Sequence, residues 1–285
     1  YDTDGITAAA IISRAFQRQD LKFQVKIVKQ LEKESIEELK KDSRIKTVFF
    51  LDLGSGSLEY IKDMSAEVFI LDHHEIAYKE KLPENIRLIN PHYFDEETEM
   101  SASSVAYLFA KELDNENKDL ANLAILGMVG DMAESVLSRV NNNILKDSEV
   151  ILKRGLLLFS STRPIAKSLE FSSEFFIPGV TGSSAGVSNL LRTLEIDRKK
   201  IILDLTEEET SKLVTAIMVQ TIGQGEAKDI VGNIYLLKFF NKIEDASELS
   251  SLINACSRLG YSDIPLSLCL GSSKARVKPE SIYNT

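Results

Sequence analysis

The sequence is poor in several residue types, and each shortage excludes a class of protein. Its 285 residues include only two cysteines, six prolines and 14 glycines. The low proline and glycine content argues against long disordered or low-complexity segments. No apolar run approaches the roughly 18 residues of a membrane span. Cys256 and Cys269 lack CxxC spacing, so we expect buried reduced thiols and a cytoplasmic protein without a membrane segment.

Basic residues are also too few for a broad nucleic-acid surface. The chain has 34 basic and 43 acidic residues, which gives a net charge of −9. This balance disfavours binding of duplex DNA on a wide basic face, but a narrow track for one strand depends only on local charge. Bound cations would also reverse the sign of an acidic cleft.

The first half alternates short apolar runs with helical patterns. We expect strands at residues 23–29, 47–53, 67–71 and 86–89. Helices are expected at 6–17, 35–41 and 58–64, then from an N-cap at Ser101 to 112 and from a cap at Asp119 to 134. Strands separated by helices predict an α/β fold with a parallel, doubly wound sheet.

The second half predicts a helical connection and a smaller α/β domain. Residues 144–195 read as mostly helical with a turn at 177–179, and a helix follows Asp204. A strand at 233–239, a helix at 246–258 and a strand at 265–270 complete the pattern. We therefore place the domain division between residues 1–200 and 201–285.

Acidic motifs stand at the ends of predicted elements. Asp2-Thr3-Asp4-Gly5 precedes a helix, Asp52 ends an apolar strand, and Asp72-His73-His74 ends the next strand. Alone, these motifs also fit a turn, a loop cap and a structural histidine pair. The carboxyl ends of parallel strands form one crevice, where these carboxylates would repel one another without cations between them. Their joint occurrence predicts a metal site.

Asp131 adds a further carboxylate, because it follows an apolar helical run in which a lone aspartate is costly. The alternative is a helix-terminal cap. Carboxylates and imidazoles suit Mn²⁺, Mg²⁺ or Zn²⁺. Asp2 and Asp4 leave one tight turn toward different cations, and Asp52 would bridge two cations about 3.5–4 Å apart. Such a pair activates water against a phosphate, which predicts a phosphodiesterase.

At these residues the chain resembles the DHH family of phosphoesterases. The matching motifs are Asp2-Thr3-Asp4-Gly5, Leu51-Asp52, Asp72-His73-His74 and residues 127–131. Residues 6–9, Ile89-Asn90-Pro91-His92 and 246–260 are more narrowly similar to archaeal RecJ-like proteins. Residues 246–271 also resemble the start of the DHH-associated domain, which closes over the substrate in this family.

The resemblance implies roles for individual residues. Asp2 and Asp52 would hold the first metal, and the second would be held by Asp4, Asp52, His73 and Asp131. Asp52, His74 and Asp72 would form the catalytic set. In it, His74 faces the scissile phosphate as a charge stabiliser or proton donor, and Asp72 orients the histidines.

The resemblance also implies an activity and partners. RecJ-like enzymes are exonucleases that trim single-stranded nucleic acid, usually DNA, with Mn²⁺ or Mg²⁺. Archaeal members also resemble a catalytically silent replisome subunit, and several bind the GINS complex near the replicative helicase. The alternatives are a phosphodiesterase for oligoribonucleotides or cyclic dinucleotides and a non-catalytic replisome subunit. Retention of all the internal ligands argues against the non-catalytic alternative.

The chain departs from the family pattern at both ends. The histidine that normally stands just ahead of the position of Tyr1 is absent, and so is the glycine-rich motif with a histidine in the associated domain. We expect both ends to be incomplete.

Several residues are candidates for substrate contact. His92 follows a strand end and would reach the cleft, although a loop histidine bonded to backbone is the simpler alternative. In the second domain a phosphate would be gripped by Arg258, Ser272, Lys274 and Arg276, with Ser273 helping. Solvated surface side chains are the alternative for these residues.

Overall fold

The computed structural model describes residues 1–93, 100–131, 138–158, 160–172, 176–222, 230–239, 242–272 and 275. Within these ranges, the helices are too short or too polar to cross a membrane. The chain divides into two compact units. The first contains Tyr1–Glu149 with Ser250–Thr285, and the second contains Val150–Leu249. The division predicted after residue 200 falls inside the second unit, and as a boundary between domains it stays a prediction.

The first unit is built on a three-stranded parallel sheet. Its strands are β1 (Thr47–Leu51), β2 (Glu67–Leu71) and β3 (Ile86–Ile89), in the order β1-β2-β3. Its helices are α1 (Thr3–Arg18), α2 (Lys33–Lys41), α3 (Leu58–Ile61), α4 (Ala102–Leu113), α5 (Ala121–Gly130) and α6 (Arg139–Asp147). The predicted α/β class with a parallel sheet is confirmed.

One face of this sheet is covered by α1 and α4 through aromatic contacts. The rings of Phe49 on β1 and Phe69 on β2 are stacked, with centroids 4.6 Å apart. Phe16 of α1 meets Phe49 edge-on, and Phe109 of α4 meets both strand rings in the same way. Edge-to-face and offset stacked pairs are the favoured aromatic geometries, so this face is a specific core contact.

The opposite face of the sheet packs against α2 and α3. Phe50 and Ile70 are the neighbours in sequence of Phe49 and Phe69, and they point the other way because strand side chains alternate. They share a buried cluster with Ile36 of α2 and with side chains of α3. Helices therefore cover both faces, as a doubly wound sheet requires.

The second unit has an antiparallel sheet of its own. Its strands are β4 (Ile151–Leu156), β5 (Val231–Phe239) and β6 (Lys242–Asp245), in the order β4-β5-β6. Its helices are α7 (Ile165–Glu170), α8 (Ser184–Thr193) and α9 (Glu207–Thr221). An apolar core joins them, with Leu169, Leu213 and Ile217 fully buried. The chain continues into α10 (Ala246–Arg258) and α11 (Asp263–Cys269).

Three predicted elements differ in the structure. Residues 23–29 form no strand, and Phe23 and Val25 are exposed instead. Residues 265–269 lie in the helix α11 rather than in a strand, and Leu270 is its C-cap. An apolar run of this length fits a buried helix equally well. The stretch predicted to be mostly helical contains the strand β4, whose first four residues are exposed.

The predicted caps had different outcomes. Ser101 caps α4 as expected, because its side chain accepts a hydrogen bond from the backbone N–H of Ser104. Asp119 does not cap α5, since a 3-10 helix (Asn115–Leu120) precedes that helix and Asp119 pairs with Arg18. The predicted continuation of this helix over 132–134 lies outside the described residues.

Candidate metal centre

The imidazole of His73 lies at the middle of an acidic cluster. Its Nε2 is 3.4 Å from Asp52 Oδ1 and 3.8 Å from Asp4 Oδ2. Its Nδ1 is 3.6 Å from Asp131 Oδ2. These four side chains come from the start of α1, the ends of β1 and β2, and the end of α5. The sheet edge and two helix termini thus bring together residues that are far apart in sequence.

Asp4 is held by the start of another helix. Its buried carboxylate accepts hydrogen bonds from the backbone N–H groups of Ala102, at 2.7 Å, and Ser103, at 2.9 Å. These amides belong to the first turn of α4, where N–H groups lack partners within the helix. A helix N-terminus also favours a negative charge. Asp4 is therefore fixed in position, and each oxygen keeps a lone pair for another ligand.

Asp52 is aimed by an unusual backbone conformation. It follows β1 with φ of 60°, and its N–H donates to Leu71 O at 2.9 Å. Its side chain is only 8% exposed. A Cβ built on Gly5 would lie 2.9 Å from Asp52 Oδ2 and 3.6 Å from Asp2 Oδ1. The two carboxylates therefore approach the same side of Gly5, which leaves room for them only because it has no side chain.

Asp2 has a structural role at the start of α1. Its Oδ1 accepts a hydrogen bond from the backbone N–H of Gly5 at 3.1 Å, which caps α1. Asp2 is exposed. A capping carboxylate uses one oxygen in this way, so the geometry is compatible with a second role as a ligand.

Asp131 is positioned by close packing of three helices. It terminates α5, as the capping alternative predicted, and its N–H donates to Gly127 O. A Cβ on Gly127 would lie 2.1 Å from Ser103 Oγ of α4 and 2.4 Å from Thr7 Oγ1 of α1. Glycine is thus required where α5 crosses the other two helices. That crossing places Asp131 beside the start of α1.

Asp72 orients the second histidine. Its Oδ1 lies 2.7 Å from His74 Nδ1 and accepts the N–H of His73 at 2.9 Å, while its Oδ2 accepts the N–H of Ser55 at 2.9 Å. Burial alone would raise the pKa of Asp72, but hydrogen bonds with His74 and Ser55 lower it to about 2. The hydrogen bond to Asp72 in turn raises the pKa of His74, whose side chain is 59% exposed. The catalytic role of Asp72 and His74 stays a prediction.

The acidic cluster carries more negative charge than its histidine balances. Burial, with the charges of Asp4 and Asp2, raises the pKa of Asp52 to about 7. Burial and Asp4 raise the pKa of Asp131 to about 6. For His73, burial lowers the pKa, but Asp52, Asp4 and Asp131 outweigh that effect and raise it to about 9. Carboxylates whose pKa is raised in this way are disfavoured as anions, and a divalent cation would remove that penalty.

The donor atoms fall into two groups that fit cations. Asp4, His73 and Asp131 each offer one ligand atom within 4.8 Å of the others, and so do Asp52, His73 and His74. Carboxylate oxygens with imidazole nitrogens suit Mn²⁺, Mg²⁺ or Zn²⁺. Because His73 belongs to both groups, the two groups of ligand atoms form one continuous cluster.

Comparisons with known proteins assign this region. Residues 1–128 match the N-terminal domain of the DHH family, and residues 158–234 match the DHH-CID domain. Together these matches span more than half of the chain. The chain contains the N-terminal domain of the DHH family. Asp72-His73-His74 lies within the matched N-terminal domain, and this family is metal-dependent, in keeping with the acidic cluster. A DHH-associated domain at 201–285 stays a prediction.

The chain is similar to two longer proteins, and it spans about two thirds of the length of each. The chain is 31% identical over 279 residues to an uncharacterized protein of Methanocaldococcus jannaschii, covering 95% of this chain and 62% of that protein. The crystal structure of CDC45 from Entamoeba histolytica aligns with a TM-score of 0.67 and 18% identity, covering 99% of this chain and 67% of that chain. This structural likeness establishes a shared fold.

Sequence reasoning gave no role to Asn90, which directly follows β3 and contacts the backbone of His74. Its buried Nδ2 donates to Ser55 Oγ and to His74 O, both at 2.9 Å, and its Oδ1 accepts the N–H of His92. Asn90 thus ties together the segments that follow β1, β2 and β3. The available signal was an asparagine directly after a strand and before a proline, where a side-chain amide often bonds local backbone.

Of the predicted substrate-binding residues, the structure describes His92, Arg258 and Ser272. His92 is exposed in a 3-10 helix (Pro91–Tyr93), and Arg258 is exposed at the end of α10. Ser272 is half-buried after α11, where its N–H donates to Ser267 O. Lys274, Arg276 and Ser273 lie outside the described residues. Substrate contact by these residues stays a prediction.

Proposed function

We propose that the chain is a metal-dependent phosphodiesterase, and more specifically a RecJ-like exonuclease acting on single-stranded DNA. The observation that carries the proposal is the convergence of Asp4, Asp52 and Asp131 on the two ring nitrogens of His73. The match of residues 1–128 to the DHH-family N-terminal domain supports the reaction class. Without a cation, such a cluster would destabilise the fold, because it buries like charges together.

The proposed ligands divide between two divalent cations, with Mn²⁺ preferred and Mg²⁺ the second choice. Asp2 and Asp52 would hold one cation, and the other would be held by Asp4, Asp52, His73 and Asp131. The approach of Asp2 and Asp52 to the same side of Gly5 supports their pairing. When bound, two cations supply a water acidified for attack and positive charge for the phosphate that is attacked.

The chain itself would orient the imidazole of His74 toward the phosphate and favour its protonated form. Asp72 occupies Nδ1 of His74, which leaves Nε2 as the ring nitrogen available to a substrate oxygen. The raised pKa of His74 favours its protonated form, and an imidazolium donates a charge-assisted hydrogen bond to phosphate. Asn90 restrains the same residue through its backbone oxygen.

The proposal extends to substrate and partners through the resemblance to archaeal RecJ-like proteins. The net charge of −9 favours a narrow single-strand track over a broad duplex-binding face. The proposed partners are single-stranded nucleic acid and the GINS complex with the replicative helicase. The proposed location is the cytoplasm. The fold shared with CDC45 from Entamoeba histolytica is compatible with such partners.

A digestion panel tests this function. The protein is incubated with Mn²⁺ and end-labelled single-stranded DNA, single-stranded RNA, a dinucleotide and a duplex with blocked ends, with an EDTA control for each. We expect mononucleotide release from single-stranded DNA, none from the blocked duplex and none in EDTA. Much faster cleavage of the dinucleotide would favour a small-substrate phosphodiesterase. Absence of turnover on every substrate would favour a non-catalytic replisome subunit.

A further inference from the structure

Thr3 lies between the candidate ligands Asp2 and Asp4, and helix α10 holds it in place. The backbone N–H of Thr3 donates to Asn254 Oδ1 at 2.8 Å. Its hydroxyl lies 3.0 Å from Ser250 O and 3.0 Å from Asn254 Oδ1, and it accepts from Ser250 Oγ at 3.0 Å. Thr3 and Ser250 are buried, and all of these residues belong to the first compact unit.

The first-turn amides of α1 are divided between two partners. The N–H of Thr3 has no acceptor within the helix, and Asn254 supplies one across about 250 positions of sequence. The N–H of Gly5 goes to the capping carboxylate of Asp2. The start of α1 is therefore fixed by a side chain from α10 in addition to its own cap.

The end of α5 reaches the same point. A Cβ on Gly130 would lie 2.6 Å from Thr3 Cβ and 3.0 Å from Ser250 Oγ. Gly130 directly precedes Asp131. The first turn of α1, the last turn of α5 and the middle of α10 therefore meet behind three of the candidate ligands.

From this junction we infer that Asn254 and Ser250 are positioning residues of the metal centre. They fix the backbone between Asp2 and Asp4, and so hold both carboxylates relative to Asp131. The inference rests on the proposed function, because it takes these aspartates as cation ligands. Groups that orient metal ligands typically contribute about 10–100-fold to metal affinity. Helix packing alone would contribute to folding stability and leave cation affinity unchanged.

The test measures cation binding without nucleic acid. Calorimetric titration with MnCl₂ gives the Mn²⁺ dissociation constant of the parent, of Asn254→Ala and of Thr3→Val, which removes the hydroxyl and keeps the side-chain shape. We expect each variant to bind Mn²⁺ about 10-fold more weakly. Thr3→Ser is the matched control, because it keeps the hydroxyl, and it should stay close to the parent. The melting temperature of each metal-free protein is recorded beside it.

The outcomes separate positioning from packing. Because the two variants remove parts of one network, their combination should weaken binding by less than the product of the single effects. The inference is overturned if both variants bind Mn²⁺ as the parent does while their melting temperatures fall. If Asn254→Ala does not fold, the Thr3→Val and Thr3→Ser pair decides alone. A parent that binds Mn²⁺ without cutting DNA would contradict the proposed function and leave this inference intact.

Discussion

Asp147, the last residue of α6, collects hydrogen bonds from three side chains around it. The hydroxyl of Tyr107, a fully buried residue, donates to Asp147 Oδ2 at 2.9 Å. The ammonium groups of Lys111 and Lys118 pair with the same carboxylate. Burial raises the pKa of Asp147, but hydrogen bonds from Lys111, Lys118 and Tyr107 lower it to about 2. This carboxylate links α6 to α4 and to the 3-10 helix that precedes α5.

This pKa predicts an acid-dependent contribution to stability. A carboxyl group with a lowered folded-state pKa stabilises the fold above its unfolded value of 3.8, and the stabilisation is lost as pH falls toward about 2. We expect Asp147→Asn to lower the free energy of unfolding by about 2 kcal/mol at pH 7. Urea unfolding at several pH values checks this. A parent–variant difference that stays constant from pH 7 to pH 2.5 would contradict it.

The residues of the site differ in how far sequence alone could find them. The aspartates and histidines that approach one another were recognisable, because each stands at the end of an apolar strand or helix, where parallel α/β folds place ligands. Asn254 and Ser250 were not recognisable as partners of Thr3. Their contacts bridge about 250 positions of sequence, and no local pattern encodes a pairing over that distance.

The crossing of α5 with α1 and α4 depends on glycine. At Gly127 an added Cβ would approach Ser103 Oγ to 2.1 Å and Thr7 Oγ1 to 2.4 Å, and both neighbours are buried. We expect Gly127→Ala to lower the free energy of unfolding by about 1–3 kcal/mol through overpacking. Chemical denaturation measures this.

Gly56→Ala is the matched control for this crossing. An added Cβ at Gly56 would meet no atom within 4 Å, and its backbone is not in the left-handed region. We expect that variant to unfold within about 0.5 kcal/mol of the parent. Equal effects of the two substitutions would show that α5 can shift to accommodate a methyl group.

At the scale of elements, alternation of apolar and polar residues predicted strands less well than the presence of an adjacent strand for pairing. Residues 47–51, 67–71 and 86–89 form strands because each pairs with another through backbone hydrogen bonds. Residues 23–29 alternate just as well, but they form no strand. The run that begins at Pro265 belongs to helix α11 instead of a strand. Pro265 lies in the first turn of this helix, where a missing N–H costs little. An alternating apolar pattern therefore forms a strand only where a neighbouring strand is available for backbone hydrogen bonds.

At the scale of the whole molecule, the first unit was more predictable than the second. The parallel sheet joins strands that are close in sequence, so its order follows from short connections. In the second unit, β4 pairs with β5 across more than 70 residues, and a short exposed strand such as β4 carries little apolar signal. The second unit also ends inside α10, so its limits follow contacts rather than composition.

Cation binding should stabilise the folded chain, because a ligand that binds only the folded state shifts unfolding by mass action. At a free Mn²⁺ concentration 100 times the dissociation constant, this shift is about 2.7 kcal/mol. We expect the melting temperature to rise by several degrees with Mn²⁺ and to fall back with EDTA. Differential scanning fluorimetry measures both.

Asp52→Asn is the informative variant for this measurement. Asparagine has the same shape as aspartate and tolerates the positive φ of this position. It should fold and lose most of the Mn²⁺ response. An equal response in Asp52→Asn and in the parent would place the bound cation elsewhere on the molecule.

The most direct test of the central claim is the initial rate of mononucleotide release from single-stranded DNA in Mn²⁺ by the parent, Asp131→Asn and Asp63→Asn. Asp131 faces His73, whereas Asp63 is an exposed acid of the same unit. We expect Asp131→Asn to lower the rate by about 100-fold or more, the size of effect seen when one electrostatic stabiliser is removed. Asp63→Asn should match the parent. An Asp131→Asn protein that cuts at the parent rate would contradict the assignment of this cluster as the catalytic metal centre.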